Sequence, residues 1–406
     1  MSLVLNTNIN SMVAQNSLQS SGMQLSSALQ QLSSGLRINT AADDAAGFAI
    51  AQGMTSQING LNQAAQNAND GVSLTQTASG AMSEITTDLQ TMRDLAVESL
   101  NATNSANDRS DLNAQFSQLA ADINNVAANT QFNGVNLLDG TFQGADFQIG
   151  ANAGQIISVS SIASAATSAI GNFYTTAGAS AYSATTANKG DTASFDITVG
   201  TNATITTDAI TLTGDKATDL KNEASAINQA VGSSYGIVAT VNAAGTGIDL
   251  STATSSAQTV TVALNASSTA LTNATNPLAD NTALGVDASY TLGSAAGTAK
   301  NLSNVDVTSV DNSNLVLISV DNALQQLATS SAQLGAYQNR FQAAITGLNT
   351  TATNLSNAKS AIVDTNYAQA TSNLSKAQIL QQAGTSMVAQ ANTIPQNIMT
   401  LLQKLP

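Results

Sequence analysis

The sequence contains no cysteine, no histidine and no tryptophan, and aromatic residues make up only 3% of it. Without cysteine or histidine the chain cannot form a disulfide framework, a thiolate nucleophile or a Ser-His-Asp catalytic arrangement. Zinc and copper sites lose their usual ligands for the same reason. We therefore expect no catalytic residues, no metal site and no cofactor, and we predict that the protein is not an enzyme.

Charge is also scarce. Charged residues are 9% of the 406 residues, against about 25% in an average soluble protein. Eleven Lys and Arg residues against 25 Asp and Glu give a net charge of −14, which argues against nucleic acid and anionic lipid as partners. No apolar run reaches the length of a membrane span, so no membrane insertion is expected. The first positive charge is Arg37, and we expect export without a cleaved signal peptide.

Both ends of the chain carry apolar residues at helical spacing. The first stripe is Leu18, Leu25, Leu29, Leu32 and Leu36, with spacings of 7, 4, 3 and 4 residues, which lie on one face of a helix. Longer stripes run from residue 50 to 96 and from 320 to 362. A last stripe includes Leu374, Leu380, Met387, Ile394, Ile398 and Leu401. Stripes of this length are typical of a bundle or coiled coil, and they predict that the two ends pack together.

The middle of the chain, residues 163–307, has a different pattern. Apolar and polar residues alternate around Phe195 and Val260, which predicts strands. A short amphipathic helix at residues 220–231 ends at Gly232. We predict a mainly α fold with a long antiparallel helical bundle or coiled coil formed by both chain ends, a β-hairpin near residues 146–160, and a central solvent-facing α+β domain.

Three segments follow from these patterns. Residues 1–40 and 365–406 are predicted to be terminal coiled-coil arms. Residues 41–162 and 308–364 are predicted to form a helical shell with the hairpin, and residues 163–307 a variable outer β-rich domain.

The arms have almost no charged residues. Residues 1–36 contain none, and residues 364–406 contain only Asp364, Lys376 and Lys404. Amphipathic helices normally place Lys and Glu on the wet face, whereas uncharged arms can be packed on several sides without burying charge. We expect the arms to become ordered only within an assembly. The predicted inter-subunit packing residues are the arm residues Leu18, Leu25, Leu29, Leu32, Leu36, Leu374, Leu380, Met387, Ile394, Ile398 and Leu401.

Several segments resemble the bacterial flagellin family. Near the start these are LSSGLRIN at residues 32–39, AADDAAG at 41–47 and TQFNG at 130–134. Near the end they are LGAYQNR at 334–340, QILQQAGT at 378–385 and AQAN at 389–392. The resemblance covers both ends of the chain, about residues 1–160 and 308–406, and is weak in the insert.

The resemblance implies an extracellular subunit that polymerises head-to-tail into the flagellar filament, with the first and last helices forming an inner tube and the insert facing solvent. It implies as partners other copies of the chain, the flagellar export apparatus and an export chaperone, and the hook–filament junction and cap proteins. The alternative is the hook–filament junction protein, a relative with similar ends. The intact segments at 378–385 and 389–392 favour flagellin.

The resemblance also implies an innate-immune partner, a vertebrate Toll-like flagellin receptor. Leu89, Gln90 and Leu95 match the family segment that this receptor senses, and they are the candidates for its binding surface. Strongly sensed members carry Arg where this chain has Thr91 and Glu where it has Gln115, so weak sensing is expected.

Overall fold

Long helices occupy both ends of the chain, as the apolar stripes predict. The protein is seen here as a computed structural model, which describes residues 8–176, 190–200, 202, 204–242, 245, 247–252, 258–264, 287–292 and 298–402. Its helices are α1 (Ile9–Ser34), α2 (Ala45–Ser99), α3 (Ala106–Asn129), α4 (Lys216–Ile227), α5 (Val310–Val363) and α6 (Tyr367–Leu402). The predicted fold class, mainly helical with a β-containing insert, is confirmed.

Local chemistry explains where the first helices end and begin. α1 stops at Gly35, which has a φ of 73° in the left-handed region that glycine adopts without strain. α2 starts after Asp44, whose carboxylate accepts a hydrogen bond from the Gly47 backbone N–H at 2.9 Å. A negative side chain at this position also favours the positive end of the helix dipole.

The chain divides into two compact units. Unit 1 comprises residues 1–69, 148–157 and 342–406, and unit 2 comprises residues 70–147 and 158–341. The long helices α2 and α5 therefore contribute residues to both units. These limits differ from the predicted division into arms, shell and outer domain, which remains a prediction.

Unit 1 contains α1, α6 and the adjoining parts of the two long helices. Its apolar cluster joins α2 to α5 through Leu61, Ala64, Ala65, Leu348 and Ala352. The small alanines allow the two helix backbones to approach closely. The turn at residues 148–157 lies against α2, where the Asn67 side-chain amide donates to the Gln148 carbonyl at 3.0 Å.

Unit 2 contains the other halves of the long helices, α3 and the β structure. Phe341 of α5 is fully buried and meets Phe147 edge to face, with ring centroids 5.2 Å apart. Its ring lies directly over Gly71 of α2, where an added Cβ would come within 2.5 Å of it. The ring therefore packs into a space that only glycine leaves open.

The strands are short and pair antiparallel in five sheets among the described residues. The strands are β1 (Gln131–Phe132), β2 (Val135–Asn136), β3 (Ala145–Gln148), β4 (Ile156–Val159), β5 (Phe173–Thr176), β6 (Thr192–Ala193), β7 (Phe195–Val199), β8 (Ile205–Thr206), β9 (Ile210–Thr211), β10 (Ile237–Val241), β11 (Ile248–Thr252), β12 (Gln258–Leu264), β13 (Asp287–Leu292) and β14 (Thr298–Lys300).

Strands β1 and β2 form one hairpin, and β3 and β4 form another. The second hairpin confirms the one predicted near residues 146–160. The larger sheets have the orders β10-β11-β5-β14 and β13-β12-β7-β8, and β6 pairs with β9.

The insert has its own hydrophobic core. Alternate residues of β7, including Phe195, Ile197 and Val199, pack against strands of the other large sheet and the apolar face of α4. The Asn228 side chain fixes the end of α4 to β10, since its amide donates to the Ala239 carbonyl at 2.8 Å and its Oδ1 accepts from the Ala239 N–H at 2.6 Å. The predicted helix and strands of the insert are thus present as one packed core.

The segment that leads into the insert packs on the helices of unit 2. The Thr167 N–H donates to Asn124 Oδ1 of α3 at 3.0 Å, and Ser319 Oγ of α5 donates to the Gly171 carbonyl at 2.8 Å. This segment is thus packed on the helices, while the domain limit at residue 163 remains a prediction. The chain leaves the helices at β5 and returns at β14, and these two strands pair directly, with Thr175 opposite Thr298.

One carboxyl group is buried in the insert core. Glu223 of α4 is buried, and its Oε1 has no hydrogen-bond partner among the described residues. The described elements with the most contact to α4 are β9, β10 and residues 228–232, and none of these three carries a titratable side chain. Burial without an opposite charge raises the pKa of Glu223 from 4.5 to about 8, because desolvation disfavours the charged form.

The insert is accordingly expected to lose stability as pH rises. The Glu223 pKa is higher in the folded chain than its ordinary value of 4.5. The free energy of unfolding is therefore unaffected by this group below pH 4.5 and falls between pH 4.5 and about pH 8. The fall is about 1.4 kcal/mol per pH unit. Hydrogen exchange of insert peptides, corrected for the intrinsic pH dependence, should show this loss between pH 5 and pH 8. Glu223→Gln should flatten the slope, and peptides of α2 serve as an internal control. Equal slopes in both proteins would contradict the prediction.

Candidate assembly surface

The arms, which carry very few charged residues, form an antiparallel helix pair. Asn8 caps α1 by accepting from the Ser11 N–H at 3.1 Å, and its amide donates to the Ala391 carbonyl of α6 at 2.8 Å. Ser11 Oγ donates to Asn392 Oδ1 at 2.7 Å. In this structure each arm supplies the other with a partner helix, and the expectation that the arms become ordered only within an assembly remains a prediction.

Small residues are the buried positions of the contact between the arms, namely Ser11, Ala28, Ala370, Ala377 and Ala391. The predicted leucine Leu18 also takes part in this contact, because a Cβ added at Gly384 would lie 3.1 Å from Leu18 Cδ1. Close packing on small side chains leaves several of the larger apolar residues of the arms exposed.

The predicted packing residues differ in how far they are exposed. Leu18, Leu25, Leu32, Leu36 and Leu374 are half-buried, and Leu29, Leu380 and Met387 are exposed. The side chains of Ile394, Ile398 and Leu401 lie outside the described residues. Further apolar residues that were not singled out are also exposed here, namely Ile9, Met12, Val13, Met23 and Ile379. Their signal in the sequence is the scarcity of charge in the arms, since α1 has no charged residue and α6 has only Lys376.

A shallow apolar groove runs between the two arms. Its volume is about 560 Å³, and its walls include Val13 and Ala14 of α1 and Leu380, Ala383 and Met387 of α6. Apolar side chains of this size are normally covered in a soluble monomer, and a contiguous exposed patch marks an interaction surface.

A short clasp joins the arms where they meet the long helices. Leu36 forms an antiparallel bridge with Asp364, the Arg37 N–H donates to the Val363 carbonyl at 2.6 Å, and the Thr365 N–H donates to the Gly35 carbonyl at 2.9 Å. The clasp fixes the register of α1 against α6. It therefore holds the apolar residues of both arms in one surface.

The receptor candidates do not form one surface. Leu89 is 0% exposed and Leu95 is 8% exposed, because both lie on the face of α2 that packs into the core of unit 2. Their prediction as surface residues is therefore corrected. Gln90, Thr91 and Gln115 are exposed.

The described residues give no support to a metal site or a membrane span. They contain no group of three or more acidic side chains arranged to hold a metal ion, and none of their helices has the length and apolar character of a bilayer span.

An ion pair lies next to the candidate receptor segment. Arg93 pairs with Asp321 at 2.7 Å, and this pairing raises the pKa of Arg93. Both side chains of that pair are substantially exposed.

Two family models match the chain at its ends. The model described as the bacterial flagellin N-terminal helical region matches residues 5–143, and the one described as the bacterial flagellin C-terminal helical region matches residues 317–402. These matches cover the arms and much of the long helices.

Curated relatives match across the whole chain. The B-type flagellin of Pseudomonas aeruginosa is 34% identical over 490 aligned positions, covering 99% of this chain and 100% of the relative. Flagellin A of Vibrio anguillarum is 36% identical over 406 positions, with the same coverage of both chains. The solved structure of FliC from Burkholderia pseudomallei is 26% identical to this chain. The match covers 66% of this chain and 99% of the solved chain, with a TM-score of 0.38.

The names of the curated relatives favour the flagellin interpretation over the junction-protein alternative. With two family models over more than half of its length and relatives above 30% identity from end to end, the chain belongs to the bacterial flagellin family and is a structural subunit of the flagellar filament.

Proposed function

We propose that this chain builds the filament by burying the outer apolar surface of α1 and α6 between neighbouring copies. The observation that carries the proposal is a helix pair with apolar side chains exposed on its outside and no charge between residues 8 and 36. Its function is mechanical and involves no catalysis. Unlike surfaces of successive copies meet head to tail, which produces an open helical polymer rather than a closed ring.

The uncharged polar residues of the arms support several contacts for each helix. Ser, Asn and Gln side chains on the outside of the pair cost less to desolvate than Lys or Glu. Each leucine that becomes fully buried stabilises the assembly by roughly 1.5–3 kcal/mol. A surface of this kind is suited to contact with neighbours on more than one side.

We also propose the three-segment organisation within the filament. The arms (residues 1–40 and 365–406) form the inner tube, and the shell (41–162 and 308–364) surrounds it. The insert (163–307) faces solvent. Family membership supports further partners: the flagellar export apparatus and an export chaperone, the junction and cap proteins, and a Toll-like receptor.

Purified full-length protein provides the direct test. After seeding with filament fragments, it is expected to form helical filaments that electron microscopy resolves as a tube with an outer layer. A protein that stays monomeric under these conditions would contradict the proposal.

Removing the insert is expected to preserve polymerisation. β5 and β14 are antiparallel neighbours with Thr175 opposite Thr298, so a short Gly-containing linker in place of residues 177–297 closes a hairpin. The closure costs little because the ends already lie together. Sedimentation should give a filament yield close to that of the full chain, and electron microscopy should show a thinner filament. Loss of filaments from a folded deletion variant would place the insert in an essential contact between copies.

A further inference from the structure

Three methionines of the arms are exposed on the surface that assembly is proposed to bury. We propose that Met12, Met23 and Met387 are modification sites at which a peroxide converts the subunit to an assembly-incompetent form. The inference rests on the proposed function of the arms. It adds a chemical control that acts on the free subunit.

Among the described residues, the methionines of the arms are exposed, whereas those of α2 are half-buried (Met54) or fully buried. Met12 is 52% exposed, and Met23 and Met387 are each 63% exposed. In contrast, Met82 and Met92 of α2 are fully buried in unit 2. An oxidant in solution therefore reaches the sulfur atoms of the arms before those of the helical core.

Met387 also lies in the groove between the arms. It forms part of the wall opposite Val13 and Ala14, so its side chain belongs to the same apolar surface as the groove. Met12 and Met23 lie on α1, the partner helix. The three methionines are thus spread over both helices of the pair.

The reaction is an oxygen transfer. The thioether sulfur attacks the O–O bond of hydrogen peroxide, a sulfur–oxygen bond forms as the O–O bond breaks, and the products are methionine sulfoxide and water. Sulfur is oxidised by two electrons, and the peroxide is reduced by two. The side chain changes from flexible and apolar to polar.

The polar sulfoxide opposes assembly for a physical reason. Between copies it would be buried, and a buried polar group without a hydrogen-bond partner is unfavourable. Because the filament repeats the same contact in every copy, the modification acts at each addition step. Subunits already in the filament have their arms covered and react more slowly.

The test uses the full-length protein in two forms, free subunits and preformed filaments. Both are treated with hydrogen peroxide, the peroxide is removed with catalase, and mass spectrometry measures the sulfoxide at each methionine. In free subunits, Met12, Met23 and Met387 should oxidise before Met82 and Met92, and in filaments they should be protected. Seeded polymerisation of the oxidised subunits should then require at least a tenfold higher protein concentration, which corresponds to about 1.4 kcal/mol.

Reversal and substitution identify the responsible sites. Methionine sulfoxide reductases for both sulfoxide epimers should restore polymerisation of the oxidised protein. The variant Met12→Leu/Met23→Leu/Met387→Leu, compared with its own untreated sample, should lose its sensitivity to peroxide, whereas Met82→Leu/Met92→Leu should retain it. If the triple variant does not assemble, the reductase result alone decides.

Two results would overturn the inference. One is unchanged polymerisation of subunits that are fully oxidised at the three sites, and the other is peroxide sensitivity that persists in the triple variant. Failure of the untreated protein to form filaments is a separate outcome, which would overturn the proposed function instead.

Discussion

Deleting either arm is expected to leave a soluble subunit that does not polymerise. Removal of residues 1–36 takes away five leucines at helical spacing, each worth roughly 1.5–3 kcal/mol when fully buried. Removal of residues 367–406 takes away the partner helix α6. Either loss is larger than the free energy of a marginal contact between copies, so seeded subunits should stay in the supernatant after sedimentation.

A point substitution separates assembly from folding more sharply than a deletion does. Leu29 is exposed on α1, so Leu29→Asp should leave the subunit folded while placing a charge on the uncharged surface of the arms. Buried in a filament, an unpaired carboxylate is strongly unfavourable. The matched control is Asn202→Asp, which adds the same charge at an exposed position of the insert. Circular dichroism monitors folding, and normal filaments from either arm deletion or from Leu29→Asp would refute the role of the arms.

Helix positions near the chain ends were predictable because local chemistry determines them. The break at Gly35 follows from a glycine that adopts a positive φ, and the new helix after Asp44 follows from an aspartate that caps it. The length of α2 follows from its apolar stripe. Each of these features is encoded within a few turns of the chain, so no knowledge of distant contacts is needed.

The contact between the arms was less predictable. A stripe of leucines marks an apolar face, but it does not say which residues meet a given partner. The two arms close on Ala28, Ala377 and Ala391, because small side chains permit the closest approach of two helices. The leucines beside them are left for other contacts. That distinction depends on the geometry of the pair and is absent from the spacing of the residues.

Two other features depended on distant contacts. The pairing of β5 with β14 joins residues separated by the whole insert, and nothing in either strand specifies its partner. Glu223 lies on the buried face of α4, although an acidic side chain is rarely buried without a partner. Leu89, by contrast, was predictable as a core residue, because it belongs to the same apolar stripe as Met82 and Met92.

The receptor is expected to respond weakly to the unmodified monomer. Strongly sensed family members carry Arg and Glu at the positions of Thr91 and Gln115, and both of these residues are exposed here. Two charge-assisted hydrogen bonds that those members could form are therefore not expected for this chain, each worth roughly 1.5–3 kcal/mol. Together they account for about two to four powers of ten in affinity. Burial of Leu89 and Leu95 strengthens this expectation, because their side chains offer the receptor no compensating apolar surface.

Restoring both charges should restore sensing. We expect Thr91→Arg together with Gln115→Glu to raise potency in a reporter-cell dose–response by about two powers of ten or more, since the two new contacts act on the same bound state. Both positions lie on exposed helix surface, so the fold should tolerate the changes. The matched control is Thr87→Arg with Gln118→Glu, which adds the same charges to exposed positions one turn away along α2 and one turn away along α3. A general effect of charge would raise potency in both variants, whereas specific contacts raise it only in the first. Full potency of the unmodified protein, or no gain in the double variant, would show that neither position limits recognition.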